Sequence, residues 1–192
     1  MANWALFGFV FLGLFSPGPN VILLTASGGR FGFRATVPHI FGVALGVGVI
    51  AGVTGLGVGA LLAVQPMLAL FLRVIASLWI LRMAWGLWHA KPLSKGSTDK
   101  PFTFLQAVLF QWVNPKIWAV ALSATAYVAD QPAIAQASQL GLAFSGINLG
   151  VCLFWTVAGT LLGRLLATPS AWVIFMRIMA IALVLFSGMV FL

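Results

Sequence analysis

Long apolar runs fill the chain, separated by a few short clusters of proline, glycine and polar residues. The runs show no period-two alternation, so they predict helices rather than strands. Six segments emerge, at about 2–29, 36–63, 67–89, 103–128, 138–166 and 170–192. The breaks fall at Arg30–Ala35, Val64–Pro66, Ala90–Phe102, Ala129–Ala137 and Ala167–Pro169. Several segments exceed the roughly 20 residues that cross a bilayer, which predicts tilt, kinks or interfacial ends. The apolar stretch Met1–Phe15 has no basic residue before it and no small-residue cleavage pattern after it, so it reads as part of the first span rather than a signal peptide.

Composition fixes the solvent. Of 192 residues, 62% are hydrophobic and 6% charged, where a soluble domain carries about 25% charged residues. With Asp99 and Asp130 as its only acids, the chain could not clothe its surface in water, which excludes a soluble enzyme. The expected fold is an all-α membrane protein, one transmembrane domain over 1–192 in the lipid bilayer, and the length allows about six to seven helices. The net charge of +8 comes without a basic run or aromatic-basic interleaving, so no nucleic acid is implied.

Six of the ten basic residues lie in or beside alternate connections: Arg30, Arg34, Lys91, Lys95, Lys100 and Arg164. The positive-inside rule makes those connections cytoplasmic and puts both termini outside. Trp4, Trp85, Trp88 and Trp172 sit at span ends, as in an aromatic belt, and Arg73, Arg82 and Arg177 are placed to snorkel. Cys152, the single cysteine, reads as packing. No cofactor or metal is implied, because histidines and acids are few and scattered.

A displacement of 104 residues lays Gly42 on Gly146, Gly46 on Gly150, Gly55 on Gly159 and Gly59 on Gly163. The match continues with Leu61–Ala63 on Leu165–Ala167, Arg73 on Arg177 and Ala76 on Ala180. A displacement of 96 lays Pro19 on Pro115. The expected organisation is repeat one over 1–90, a cytoplasmic linker over 91–102, and repeat two over 103–192. Three spans per half means that the second half enters the membrane inverted. Inverted repeats characterise secondary transporters, with the substrate site at the midplane. The four-residue glycine spacings also serve close helix packing, within one chain or between copies in a homo-oligomer.

Spans one and four are each broken near the midplane, at Ser16-Pro17-Gly18-Pro19-Asn20 and at Trp112-Val113-Asn114-Pro115-Lys116. Each break can end one half-helix and start another with proline at its first position. The new N-termini would offer N–H groups to an anion, such as an amino-acid carboxylate. The candidate substrate site is therefore Ser16, Pro17, Gly18, Pro19 and Asn20 with Asn114, Pro115 and Lys116. The alternative is a pair of structural kinks. Lys116, near the bilayer centre, would bind substrate carboxylate or counter the carbonyls freed by a break. His39 is the proton-coupling candidate, with an interfacial side chain as the alternative. His89 reads as interfacial. Gln111 and Asn148 would line the site or bond between helices. With no acid in any span, neutral zwitterionic substrates fit better than cationic ones.

The residues Ser16-Pro17-Gly18-Pro19-Asn20, then Gly29-Arg30-Phe31-Gly32-Phe33-Arg34 and the Gly42/Gly46 helix, resemble the LysE/RhtB superfamily of amino-acid exporters. Asn114-Pro115-Lys116 is similar to that family's second signature. The resemblance implies an inner-membrane exporter of amino acids or small metabolites, driven by the proton gradient. Its motifs fall on Pro17, Gly18, Pro19 and Asn20 and on Asn114, Pro115 and Lys116. Many members carry Asp where this chain has Asn20, a departure that removes an acidic candidate for coupling or for binding an amine. The competing classes are an uncoupled facilitator or channel and a membrane-embedded enzyme. The enzyme would need a nucleophile–histidine pair or clustered metal ligands that the sequence does not offer.

Overall fold

The computed structural model describes residues 3–58, 65–90, 99–165 and 168–189. The match at Gly59, that of 61–63 with 166–167, the break at Val64 and the linker residues Lys91 and Lys95 lie outside these. Among the described residues the chain is helical, without strands. Its helices are α1 (Trp4–Phe15), α2 (Pro19–Phe31), α3 (Phe33–Gly55), α4 (Pro66–Trp88), α5 (Phe104–Trp112), α6 (Pro115–Ala124), α7 (Ala133–Leu165) and α8 (Pro169–Met189). A short 3-10 turn, Thr125–Tyr127, follows α6.

Helices α3, α4, α7 and α8 each contain a stretch long and apolar enough to cross a membrane. The pair α1–α2, bent by 58° at Ser16–Gly18, supplies a fifth candidate span. Segment 103–128 divides into the nine-residue α5 and ten-residue α6, each too short to cross alone. The 33-residue α7 is about 50 Å long by helical rise, so its polar first turns, with Gln136 and Ser138, reach beyond the hydrocarbon. The connection expected over Arg30–Ala35 shrinks to Gly32, whose φ of +81° turns the chain in one residue.

Helix α3 runs through the centre, packed along α7, α5 and α6, while α2 lies along α7 and α4 pairs with α8. The main core joins Leu6, Val10 and Leu14 of α1 to Ile40, Val43 and Val47 of α3 and to Leu140 and Phe144 of α7. Outward-facing Leu78, Ile178, Leu142 and Leu185 are more than half exposed, an apolar exterior that lipid solvates. This is a multi-pass membrane protein.

Backbones meet at glycine. A Cβ on Gly28 would overlap the Thr156 carbonyl oxygen, one on Gly159 the Thr25 carbonyl, and one on Gly163 the Gly29 carbonyl, so α2 and α7 are in near contact. Gly42 and Gly46 bring α3 as close to α5. Their counterparts in the 104-residue match, Gly146 and Gly150, have nothing within 4 Å. Trp172 also departs from the aromatic-belt expectation. It is only 6% exposed, packed with Ala26, Ala90 and Phe175, because those alanines leave room for an indole. Trp4 and Trp85 are exposed at helix ends as expected.

Candidate functional site

The two broken elements run antiparallel. At one end Asn3 caps α1 through the Leu6 amide and donates to the Tyr127 carbonyl (2.9 Å) beyond α6. At the other end Arg30, closing α2, forms an ion pair with Asp99 ahead of α5. A capping box between Thr103 and Gln106 starts α5. Between these anchors the two breaks face each other.

Proline is the first residue of both α2 and α6, and neither N-cap, Gly18 or Asn114, makes a side-chain cap bond. Ser16 is not the N-cap of α2; its hydroxyl donates to the Gly13 carbonyl (2.9 Å) and stays with α1. Proline has no N–H, and a cap would occupy the amides that follow it, so each second half-helix presents its first N–H groups without a side-chain partner.

Lys116 crosses from the second break to the first. Its Nζ donates to the Ser16 carbonyl and to the Pro17 carbonyl (3.3 Å). Its stem runs over Gly18, where a Cβ would lie 2.8 Å from Cδ and 3.0 Å from Nζ. The ammonium thus answers carbonyls that the Ser16–Gly18 break takes out of helical bonding. That is the counter-charge arrangement, though a lysine ammonium has a further N–H beyond those two.

Asn20 is the counterpart of Lys116 in the 96-residue match, and it reaches back across the same gap. Asn20 Nδ2 donates to Gln111 Oε1 (2.8 Å), and Gln111 Nε2 donates to Asn20 Oδ1 (3.2 Å) and to the Ala107 carbonyl (2.9 Å). The neutral amide at 20 can both give and accept, which a carboxylate there could not do. Asn114 is fully buried beside them, its Nδ2 3.5 Å from Gln111 Oε1 and its Oδ1 without a partner. The structure therefore gathers Ser16, Pro17, Gly18, Asn20, Asn114 and Lys116 at one junction, with Pro19 and Pro115 starting the helices. Gln111 is the member that position alone did not assign to the junction.

The other candidates lie apart. His39 is 2% exposed, with both ring nitrogens unpartnered and its ring 5.2 Å from that of Phe102. Asn148 is buried with its amide nitrogen unpartnered. His89 is exposed, its ring tilted against that of Trp85 (4.2 Å) with Nδ1 2.9 Å from the Trp85 carbonyl, as an interfacial side chain would be. Cys152 is buried in the main core. Arg177 lies 4.9 Å above the Trp88 ring, and Arg82 lines a cavity beside His39. Among the described residues no three metal-ligating side chains cluster.

The family model for the LysE type translocator matches residues 11–192, a range that contains both breaks. The chain is also similar to the cysteine/O-acetylserine efflux proteins of Escherichia coli (strain K12) and Shigella flexneri serotype 5b (strain 8401). Each is 30% identical over 155 residues, covering 78% of either chain. No solved structure matches. The helical membrane architecture and the match across both breaks lead to one assignment: the chain belongs to the LysE type translocator family, and is a transporter rather than an enzyme.

Proposed function

We propose that the protein exports small zwitterionic amino acids, of the cysteine or O-acetylserine kind, from the cytoplasm by alternating access around the joined breaks. The observation that carries this reading is the junction itself. Two opposed half-helix N-termini without side-chain caps meet around Lys116, Asn20 and Gln111. Uncapped N–H groups and a cation suit a carboxylate, and the amide pair suits the ammonium and side chain of a neutral amino acid. The scarcity of acids argues against a cationic substrate.

The halves 1–90 and 103–192 act as inverted repeats. Close glycine contacts occur towards both ends of α7, at Gly28, Gly159 and Gly163 and at Gly48 and Gly55. Rocking one half against the other would move access from one side to the other. The basic end is cytoplasmic and both termini face outward across a bacterial-type inner membrane. His39 is the titratable group through which a proton gradient drives export.

The test is efflux from proteoliposomes loaded with labelled O-acetylserine and cysteine, with and without a pH gradient. Selective efflux accelerated by the gradient is expected. Efflux indifferent to it would favour an uncoupled facilitator, a reading that the absence of acids from the expected spans independently favours. No efflux from folded protein would overturn the proposal.

A further inference from the structure

A cavity of about 460 Å³ opens between α2, α3, α4 and the start of α5, at the basic end of the bundle and away from the breaks. Its size falls within the roughly 300–1,000 Å³ of small-molecule pockets. Arg30, Arg82 and Lys100 line it. Asp99 offsets one of these charges by pairing with Arg30 Nη2, which leaves an excess of positive charge.

Arg30 and His39 belong to its wall, but Arg30 Nε and the His39 ring nitrogens are shielded from the cavity itself. The groups a ligand there would meet are the accessible cationic side chains of Arg82 and Lys100. Trp79, Met83 and Phe102 supply the apolar wall. Phe110, fully buried, packs edge-on to Phe102 (6.5 Å) and tilted against Trp79 (6.4 Å), one residue before Gln111 of the junction. The cavity thus ends on an aromatic floor, beyond which lie the breaks.

We propose that this cavity is a vestibule that binds a small zwitterion by its carboxylate, held by Arg82 and Lys100, before passage to the junction. The inference rests on the exporter reading, to which it adds a second site. An acidic lipid headgroup shares the oxyanion chemistry. The size of the cavity and its helical walls favour the smaller, soluble ligand.

The experiment uses full-length protein with Cys152→Ala and Ser27→Cys, Ser27 being inside the cavity wall. It is placed in nanodiscs of zwitterionic lipid, and labelling by a membrane-impermeant thiol reagent is timed. O-acetylserine should slow labelling several-fold. Arg82→Gln with Lys100→Gln should remove that protection and, in proteoliposomes, raise the KM for export about 100-fold with kcat kept, as expected for loss of two charge-assisted hydrogen bonds. Wild-type export without protection overturns the vestibule alone. Protection conferred by added cardiolipin and not by the amino acid also overturns it. Protection in protein that exports nothing would keep the vestibule and overturn the exporter reading.

Discussion

Replacing Lys116 by methionine keeps a slim stem over Gly18 and removes the ammonium that holds the Ser16 and Pro17 carbonyls. A hydrogen bond from a charged donor contributes about 1.5–3 kcal/mol in soluble proteins. Bonds between membrane helices average lower, about 0.6 kcal/mol and up to roughly 2, because the separated helices find other partners. Two such bonds, with two carbonyls left facing the gap, put the loss at about 2–3 kcal/mol. That corresponds to roughly a 30- to 150-fold shift away from the joined breaks. At about 2–4 °C per kcal/mol for a chain of this size, the melting temperature in detergent should fall by about 4–12 °C. Efflux from proteoliposomes should fall with it. Lys116→Arg keeps the charge but brings a broader head onto Gly18, so it should restore both quantities in part. Unchanged melting and unchanged flux in Lys116→Met would refute the reasoning. Lost flux with unchanged melting would show that Lys116 serves the substrate and not the break.

Gly159→Ala drives a methyl group into the Thr25 carbonyl and should cost about 1–3 kcal/mol, read as a lower melting temperature. Gly146→Ala meets open space and should leave melting unchanged or raise it slightly, since alanine is the better helix former. Asn20→Asp removes the donor to Gln111 Oε1 and sets two acceptors against each other, so melting should fall by an amount equivalent to about 1–3 kcal/mol, with reduced flux. His39→Gln keeps a polar side chain in the vestibule wall and removes the titrating ring. Export should persist but lose its acceleration by a pH gradient, and an intact gradient response would assign coupling elsewhere.

Much of this architecture is legible in the chain because lipid imposes a simple rule: long apolar runs become helices, and proline breaks are kept where protein covers them. The breaks at 16–20 and 112–116 and the helix ends near them followed from proline chemistry. The Thr103/Gln106 capping box and the Asn3 cap are local signals of the same kind, readable from spacing although easily passed over in an apolar chain. The pairing of Asn20 with Gln111 is different in kind. It joins residues 91 positions apart, and no periodicity specifies which polar side chain in one span meets which in another. Depth misleads for the same reason. Trp172 sits where a belt tryptophan would, yet its neighbours from α2 and the end of α4 decide its surroundings. The inequality between Gly46 and Gly150 could not be read from a match that treats them as equivalent, because Gly46 faces α5 while Gly150 lies on an exposed face of α7.

The junction as the route of export is tested most directly by replacing both members of the amide pair, Asn20→Leu with Gln111→Leu, and measuring O-acetylserine efflux. Exchanging both partners of a buried hydrogen bond for apolar groups of similar size is close to neutral, but the buried Asn114 amide also loses Gln111, so melting should fall by the equivalent of about 1–3 kcal/mol and the protein stay folded. If the junction is the route, flux should fall to that of protein-free vesicles. Wild-type flux through this apolar junction would contradict that reading.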